Sequence, residues 1–493
     1  MEDLKYWKNK MKQKRESTDP RKFLMDIASW SGMAFYRNNW LISRYPESNR
    51  INICSIEQFE EIREDFIKNG LEYNFQKNGF ENYKILSKKI KSSTLIQFWN
   101  NENSNFSDVS VNAKNAYLSR VITLWSENAY YSMLVRINSV NIFNSFFVVD
   151  NSEVIYFCKS IHSSYKIFYS KYIKNCSDVR FSSNLTGCKE CIDCDNLENE
   201  SYCIWNIKYE KKEYFERKSE ILSQKSNFLN NYKKLENKWK NHNSSNVNWD
   251  NIIESEDVLN WSFVFNLKNW NNTLFVWSTA WAENWFDFLI WWEGNNDIYW
   301  VNNSWWGCQN IFNSVQVGWS TDIYYSQNIE TCSHLLFCNG LKNKSYCILN
   351  KQYTKSEWEI LADKIFKQME SDWILWDFFP GNINPFYFND TIAGMLWDFT
   401  KEEVESKWYL WRDEEIKVDI PEWVDIISTE QLNDYQWYSP SGEWRINPEI
   451  LQKVIKDDAW DYYRIVQMEY DFLVKHWLPL PSLHWIDRMK INF

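Results

Sequence analysis

Four cysteines in the middle of the chain have a spacing that could bind a metal ion. Cys188, Cys191 and Cys194 form a C-x-x-C-x-x-C pattern, and Cys203 follows closely enough to supply a fourth thiolate. Thiolates at such short spacings hold zinc or iron–sulfur centres. The pattern therefore predicts a metal site at these four residues, with zinc as the candidate cofactor.

A second interpretation treats the same cysteines as buried, metal-free thiols. A related segment 144 residues further on keeps Cys332, Cys338 and Cys347, but it has Leu335 where the first copy has Cys191. Cysteine is also among the most often buried residue types and packs as a small hydrophobe. These observations favour structural thiols, and the spacing alone leaves both interpretations open.

The related segments belong to a long internal duplication. Residues 194–209 and 338–353 align without gaps, and nine of their sixteen positions are identical. The match continues backwards, where Asp178 falls on Asp322. An ungapped duplication of this length predicts two structurally related halves.

A shorter period lies inside each half. Aliphatic–aromatic pairs, often followed by serine, recur every 12 or 13 residues, with aromatic residues at Tyr117, Tyr130, Phe143, Tyr156 and Tyr169, and at Phe286, Tyr299, Phe312 and Tyr325. Short β-branched and aromatic runs bounded by Asn, Ser and Asp indicate strands and turns. The period predicts a mainly β protein with some α-helix, built from two tandem parallel β-solenoids in which two units form one coil. An antiparallel β meander is the alternative.

Each array is predicted to end in a helix. Thr354 followed by Glu357 has the spacing of a helix-capping box. The predicted domains are an N-terminal α-rich region (1–112), a first array with its helix (113–222), a connector (223–256), a second array with its helix (257–370) and a small α-rich C-terminal module (371–493).

Composition limits the partners of the chain. The formal net charge of −11 disfavours nucleic acid as a partner. No apolar run is long enough to cross a membrane, and the N-terminus lacks a signal-peptide pattern, so we expect a cytoplasmic protein without a membrane partner. The 11 cysteines, an odd number, are expected to be reduced rather than disulfide-bonded.

Tryptophan is unusually frequent and glycine unusually rare. The chain has 31 tryptophans and 11 glycines, whereas average usage would give about 35 glycines in a chain of this length. Several tryptophans stand where a turn would ordinarily have glycine, for example Trp319, Trp408 and Trp477. We therefore predict a gene that reads UGA as glycine and that has been translated with tryptophan at those codons. The alternative is a genuine tryptophan-rich binding surface.

Motifs in the C-terminal part carry a family resemblance. They are residues 377–380 (DFFP), 385–393 (PFYFNDTIA), 400–403 (TKEE), 408–415 (WYLWRDEE) and 478–484 (LPLPSLH). With the Ser-Tyr-Cys-Ile repeats they resemble an uncharacterised cysteine-rich repeat family of candidate-phylum bacteria.

The resemblance has consequences for glycine and zinc but implies no activity. It implies glycine where Trp376, Trp408 and Trp477 stand. It also implies a zinc-ribbon-like C-terminus, yet residues 457–488 contain no cysteine. Some members carry a CaiB/BaiF CoA-transferase label, and this chain shows no α/β pattern that supports it.

Other candidate groups are weaker. His334, His476 and His484 could titrate or bind a metal. Carboxylates that could act in acid/base chemistry gather at Asp413, Glu414, Glu415 and Asp419. The chain has no phosphate-binding glycine loop, nucleophile elbow or HExxH motif.

These observations predict a non-enzymatic repeat protein that binds or scaffolds through its solenoid face. The bound surface would be a protein or a carbohydrate. A zinc-binding protein, with or without associated nucleic acid, is the first alternative. An enzyme acting in a solenoid groove is the second, and it would need carboxylates stacked on adjacent coils.

Overall fold

A computed structural model defines the fold of most of the chain. It describes residues 2–13, 20–38, 41–48, 50–224, 228–235, 252–253, 256–259, 264–291, 296–304, 307–413, 418, 420–439 and 443–492. Short strands dominate, and helices lie near the N-terminus, after each repeat array and near the C-terminus.

The α-helices of the described ranges are α1 (Glu2–Gln13), α2 (Pro20–Asp26), α3 (Ile56–Arg63), α4 (Gly79–Ser87), α5 (Lys211–Gln224), α6 (Phe228–Lys233), α7 (Lys355–Ser371), α8 (Ile392–Leu396), α9 (Lys401–Ser406), α10 (Gln467–His476) and α11 (Trp485–Lys490). Short 3₁₀ helices cover Ala28–Trp30, Glu64–Asn69, Phe388–Asp390, Thr429–Tyr435 and Pro448–Gln452.

Strands before and within the first array are β1 (Tyr36–Asn38), β2 (Leu41–Ser43), β3 (Asn52–Cys54), β4 (Lys91–Ser93), β5 (Gln97–Phe98), β6 (Phe106–Val111), β7 (Tyr117–Thr123), β8 (Glu127–Tyr130), β9 (Met133–Arg136), β10 (Val140–Phe143), β11 (Phe146–Val149), β12 (Glu153–Tyr156), β13 (Lys159–His162), β14 (Tyr165–Phe168), β15 (Lys171–Lys174), β16 (Ser177–Arg180), β17 (Ser183–Thr186), β18 (Lys189–Ile192), β19 (Asp195–Glu198), β20 (Ser201–Ile204) and β21 (Ile207–Lys208).

Strands of the second array are β22 (Ile252–Ile253), β23 (Glu256–Leu259), β24 (Val264–Trp291), β25 (Asn296–Ser304), β26 (Gln309–Gly318), β27 (Thr321–Tyr324), β28 (Gln327–Glu330), β29 (Ser333–Leu336), β30 (Ser345–Ile348) and β31 (Lys351–Gln352). The C-terminal strands are β32 (Ile426–Ser428), β33 (Gln436–Tyr438), β34 (Trp444–Ile446), β35 (Val454–Lys456) and β36 (Tyr462–Tyr463).

The chain forms two compact units, each made of two separate segments. Unit 1 combines Met1–Leu95 with Lys238–Arg412, and unit 2 combines Ile96–Asn237 with Asp413–Phe493. Each unit therefore contains one repeat array and a different part of the C-terminal region. The domain boundaries drawn from the repeat pattern stay a prediction.

Unit 2 contains a parallel β-solenoid, which confirms the solenoid prediction. Strands pair in parallel with the strand two places further along the chain, so that β14 pairs with β16 and β15 with β17. The prediction that two repeat units form one coil is wrong, because paired residues are 12 or 13 positions apart, as in Phe143 with Tyr156 and Ile167 with Val179. One unit closes a full coil because each coil contains two four-residue strands separated by tight corners.

The alternative of an antiparallel meander is also wrong. Within the two arrays, the antiparallel pairs among described strands are the terminal ones, β20 with β21 and β30 with β31. A coil of fixed length stacks each strand on its counterpart in the same direction, which gives parallel pairing.

The core of unit 2 is a set of stacked apolar columns. The third residue of each four-residue strand points inward, and successive residues at this place stack along the solenoid. One column contains Ile142, Ile155, Ile167, Val179, Cys191 and Cys203, and all six are buried. Because β-branched residues fit a stacked strand surface, this pattern stabilises the coil.

Left-handed backbone corners bend the chain into these short coils. In each four-residue strand of unit 2, the second residue and the residue after the strand have positive φ, as at Asn141 and Asn144 around β10. Asparagine adopts this conformation more easily than most residues. Its amides also form a ladder, since Asn115 donates to Asn128 (2.9 Å) and Asn128 donates to Asn141 (2.8 Å). The abundance of asparagine in the repeats follows from this geometry.

Serine and cysteine share a second ladder. Ser145 donates to the carbonyl of Phe143 (2.8 Å) and accepts from the backbone N–H of Cys158 in the next coil (3.0 Å). Cys158 repeats the pattern by donating to the carbonyl of Tyr156 (3.2 Å). These side chains satisfy backbone groups that the corners leave unpaired.

The array of unit 1 has the same architecture where its side chains are described. Strands β25, β26 and β27 pair in parallel, with Tyr299 opposite Phe312 and Phe312 opposite Tyr324. The step shortens from 13 to 12 residues at this point, so Tyr324 rather than the predicted Tyr325 continues the column. In unit 2 Phe168 rather than Tyr169 continues it for the same reason.

A helix follows each array, as predicted. Thr354 and Glu357 form the predicted capping box at the start of α7, with the Glu357 N–H donating to Thr354 Oγ1 (3.3 Å). Trp358 on α7 is fully buried, and its Nε1 donates to the carbonyl of Cys347 in the last coil of unit 1 (3.2 Å). In unit 2 the equivalent residue of α5 is Tyr214, which packs on Tyr202 at 5.6 Å.

Candidate functional site: a cationic cavity in unit 2

The predicted metal-binding cysteines occupy two different structural places. Cys188 and Cys194 lie in the serine–cysteine ladder, where the Cys194 N–H donates to Ser182 Oγ (3.0 Å) and the Cys194 thiol donates to the Ile192 carbonyl (3.3 Å). Cys191 and Cys203 lie in the apolar core column and face each other in paired strands. All four thiols are buried.

The Cys191 thiol contacts two of the other predicted metal ligands. The Cys191 thiol donates to the sulfurs of Cys188 and Cys194, and these bonds together with burial raise the pKa of Cys191. Hydrogen bonds with Cys176 and Cys191 lower the pKa of Cys188, and the bond with Cys191 lowers the pKa of Cys194. Burial raises the pKa of Cys203 as well. A raised pKa favours the neutral thiol, whereas a metal ligand must be a thiolate.

Among the described residues, one group of three possible metal ligands has all its donor atoms within 4.8 Å of one another. The group consists of Asp457, Asp461 and Asp487. Asp457 is occupied within the fold, since it accepts hydrogen bonds from the backbone N–H groups of Ala459 (3.0 Å) and His484 (2.9 Å). Zinc binding at the four cysteines stays a prediction.

The other predicted groups separate in the structure. His334 lies in unit 1, with Nε2 3.5 Å from Asp322 and its ring 4.7 Å from that of Tyr346, and burial lowers its pKa. The His484 side chain accepts from the Ile486 N–H at the start of α11 (3.4 Å). Of the predicted acidic group, Glu414, Glu415 and Asp419 lie outside the described residues.

His476 lines a cavity that belongs to unit 2. Its volume is about 400 Å³. One wall is the face of the solenoid that contains β14 and β16, which we call the even face. The other walls are α5, the start of α6, Tyr438 of β33 and the C-terminal end of α10. A hydrogen bond from Tyr438 Oη to the Leu222 carbonyl (3.1 Å) links two of these walls.

Cationic side chains line this cavity. Lys166 and Arg180 come from the even face, Lys218 from α5 and Lys475 from α10. Lys218 is paired with Glu190 at 2.5 Å. Within the described part of the chain, no carboxylate lies within 4 Å of the charged atoms of the other three cations. Among the described residues that line the cavity, Asp178 is the one carboxylate, so these residues carry a net positive charge.

Arg180 is held at the centre of the lining. Its guanidinium lies over the Phe168 ring at 4.4 Å, and Nη2 donates to the carbonyl of His476 (3.2 Å). Desolvation by burial lowers the pKa of Arg180 from 12.5 to about 10. A partly desolvated cation of this kind gains from an anion placed beside it.

His476 is neutral at physiological pH. Burial, followed by the positive charges of Lys475, Arg180 and Lys166, lowers its pKa from 6.5 to about 4. Its ring lies 5.5 Å from that of Phe168. His476 therefore offers a neutral imidazole beside the cations.

The remaining lining is mostly aromatic. Phe215, Phe228, Tyr438 and Trp477 contribute rings, and Phe215 and Trp477 are 42% and 49% exposed. Trp477 follows α10 with a left-handed backbone (φ 58°). Aromatic walls with a few convergent charged groups are typical of small-molecule sites.

The equivalent face of unit 1 is covered by a helix. Asp322 occupies the place of Asp178, and it forms an ion pair with Lys8 of α1. The buried ring of Trp7, also on α1, packs 5.9 Å from Phe366 of α7, which in turn packs 5.4 Å from Tyr324, the counterpart of Arg180. The duplication therefore places α1 in unit 1 where unit 2 has a cavity.

Sequence reasoning identified His476 but not its partners. Lys166, Arg180, Lys218 and Lys475 lie in three separate parts of the chain and form no motif. The one available indication was that Lys166 and Arg180 replace Asn310 and Tyr324 at equivalent places of the duplication. That substitution changes the charge of one face in one copy.

The chain matches no family model, no curated protein and no solved structure. Among the described residues, no helix is long and apolar enough to cross a membrane.

Proposed function

We propose that the protein is a non-enzymatic binding protein that holds a small anionic ligand in the cavity of unit 2. The observation that carries this proposal is the cluster of Lys166, Arg180 and Lys475 around a space of about 400 Å³, which is within the range of ligand pockets. The solenoid provides a rigid wall, and the helices complete the enclosure.

Arg180 is the residue on which the proposal depends most. Its guanidinium is fixed by Phe168 and by the His476 carbonyl, so little conformational entropy is lost when an anion binds. Planar guanidinium groups recognise oxyanions through paired hydrogen bonds.

Thermal unfolding of the full chain in phosphate and in chloride at equal ionic strength tests the proposal. Phosphate is expected to raise the unfolding midpoint of the wild-type protein by mass action, and Arg180→Gln is expected to remove that increase. Lys212→Gln, which removes an exposed charge elsewhere on α5, is the matched control and should behave as wild type. Equal midpoints in the two salts for the wild-type protein would overturn the proposal.

Zinc binding is a second candidate function, and the contacts of the Cys191 sulfur with the sulfurs of Cys188 and Cys194 favour it. Zinc content of the reduced protein measures it directly. About one equivalent of zinc, lost in Cys194→Ser but kept in Cys338→Ser, would support this function. Cys338 is the counterpart of Cys194 in the second array, so it controls for general effects on folding. A folded, zinc-free wild-type protein would exclude this function.

Catalysis in a solenoid groove has less support. Asp178 and Glu190 do lie on adjacent coils, because Ser177 and Lys189 are paired neighbours. The Glu190 carboxylate is, however, 2.5 Å from the Lys218 ammonium, which holds it as a structural ion pair. We therefore favour binding over acid/base chemistry for this face.

A further inference from the structure

The two halves of the duplication can be compared for the side chains that pack on equivalent faces of their arrays. In unit 1 the Trp7 ring lies next to α7, the helix that follows the array. Trp7 Nε1 donates to Asp363 of α7 (3.0 Å). Trp7 is buried, at 2% exposure. An aromatic ring therefore fills the equivalent position in the copy where the space is occupied.

Unit 2 retains aromatic surfaces at this position but differs in charge. Phe168 on the even face corresponds to Phe312, which lies on β26 at the equivalent face of unit 1. Arg180 stands in place of Tyr324 and Lys166 in place of Asn310, so two cations are added where unit 1 has neutral side chains. Phe215 of α5 adds a further ring at the rim of the cavity.

The charge at the site suits a phosphate group. Lys166 and Lys475 supply ammonium groups, and Arg180 supplies a guanidinium held by Phe168 and the His476 carbonyl. Both cation types bind phosphate, the lysines as point charges and the arginine through directed hydrogen bonds. A dianion would be stabilised more by these three cations than a single carboxylate would.

From these observations we infer that the cavity of unit 2 binds a small molecule in which an aromatic ring is joined to a phosphate, as in a nucleoside monophosphate. The ring would take the place that Trp7 has in unit 1, between the aromatic walls. The phosphate would lie beside Arg180 and the two lysines. This inference rests on the proposed anion-binding function and adds the aromatic part of the ligand.

Isothermal titration of the full chain with adenosine monophosphate, ribose 5-phosphate, adenosine and inorganic phosphate tests this inference. Adenosine monophosphate is expected to bind at least tenfold more tightly than ribose 5-phosphate, because only the former carries an aromatic ring. Adenosine is expected to bind more weakly than adenosine monophosphate by a similar factor. Equal affinity for adenosine monophosphate and ribose 5-phosphate would overturn the aromatic inference while leaving the anion-binding proposal intact.

Variants separate the contributions of the two ligand parts. Arg180→Gln and Lys475→Gln should each weaken the binding of adenosine monophosphate at least fivefold, and Lys212→Gln should leave it unchanged. Lys475 is exposed on α10, so Lys475→Gln is a second variant that keeps the fold if Arg180→Gln is unstable. Phe215→Ala should weaken adenosine monophosphate more than ribose 5-phosphate. No binding of any of the four compounds would overturn this inference together with the proposed function.

Discussion

At the scale of single residues, backbone conformation separates the tryptophans of the described chain into two kinds. Trp7 and Trp358 are buried tryptophans with ordinary φ, and each donates its Nε1 to a protein acceptor. A second group of tryptophans has positive φ, a backbone conformation that is energetically unfavourable for a bulky side chain. Its members are Trp99, Trp125, Trp205, Trp319, Trp373, Trp408, Trp460 and Trp477. Trp477 directly follows α10, and Trp408 follows Lys407, the C-cap residue of α9. Helices commonly end in a left-handed glycine at such positions.

Translation of UGA as glycine stays a prediction, and the second group of tryptophans fits it. Trp376 does not belong to this group. Its φ is not positive, and its Nε1 donates to the Lys10 carbonyl (3.3 Å). Backbone conformation therefore gives no reason for glycine at Trp376. Peptide masses of the native protein would decide each position separately.

Replacing Trp408 with glycine should stabilise the protein. Trp408 has φ 66° and is 71% exposed, so the change relieves backbone strain and removes little packing. We expect the free energy of unfolding to rise by about 0.5–1 kcal/mol, measured by urea denaturation. The control is Trp423→Gly, at an 83% exposed tryptophan without positive φ. Trp423→Gly should leave the free energy of unfolding unchanged or lower it. A higher free energy of unfolding in both variants would contradict relief of backbone strain as the cause.

His476 should make stability depend on pH in a defined window. Its pKa falls from 6.5 to about 4 on folding, so the unfolded state binds more protons than the folded state between these values. The free energy of unfolding should therefore rise as pH increases from about 4 to 6.5 and then level off. The rise from this residue should be on the order of 1 kcal/mol, after allowance for its partial exposure.

The variant His476→Gln isolates this effect. Its stability, measured by denaturant titration across the same pH range, should lack this rise, although carboxylates elsewhere will still contribute below pH 5. The charged groups that line the cavity with His476 are Lys166, Asp178, Arg180, Lys218 and Lys475. If the free energy of unfolding of His476→Gln rose between pH 4 and 6.5 by as much as that of the wild-type protein, His476 would not be the responsible group.

At the scale of structural elements, the serine–cysteine ladder explains most of the cysteine content. The Cys176 N–H donates to Ser164 Oγ (3.1 Å). Seven of the 11 cysteines stand at ladder places where other coils have serine: Cys158, Cys176, Cys188, Cys194, Cys308, Cys332 and Cys338. Serine and cysteine are the small side chains that can donate to one carbonyl and accept from the next coil. The ladder position therefore restricts the residue type more than burial does.

Ser182 tests the ladder. Ser182 Oγ donates to the Arg180 carbonyl (2.8 Å) and accepts from the Cys194 N–H (3.0 Å). Ser182→Ala should lower the free energy of unfolding by about 1–3 kcal/mol, because it leaves buried backbone groups unpaired. Ser182→Cys, which the neighbouring coils already accept, should cost less than Ser182→Ala. Equal costs in chemical denaturation would contradict a hydrogen-bonding role for the ladder.

Parts of this architecture could be predicted from sequence. The ungapped duplication and the recurrent aliphatic–aromatic–serine pattern predicted a solenoid, because stacking requires equivalent residues at fixed intervals. The coil length could not be predicted, since it depends on left-handed corners at residues such as Val154 and Lys166. Those residue types give no indication of positive φ. The shift from 13 to 12 residues per coil likewise moved the aromatic column from Tyr169 to Phe168.

At the scale of the whole molecule, duplication produced two units with different coverings on the same face. In unit 1, Trp7 of α1 packs against Phe366 of α7, and Lys8 of α1 forms an ion pair with Asp322. Unit 2 has cations and a cavity at the equivalent place. Its lining joins segments around residues 166–180, 215–228 and 475–477, so the pattern of any one segment could not predict the site.

Lysine labelling of the full chain, with and without saturating adenosine monophosphate, tests the central claim most directly. Peptide mass spectrometry after reductive methylation measures each lysine separately. Ligand binding in the cavity predicts reduced labelling of Lys166 and Lys475, with Lys212 and Lys234 unchanged as exposed controls in the same unit. Unchanged labelling of Lys166 and Lys475 at saturating ligand would contradict the assignment of this cavity as the binding site.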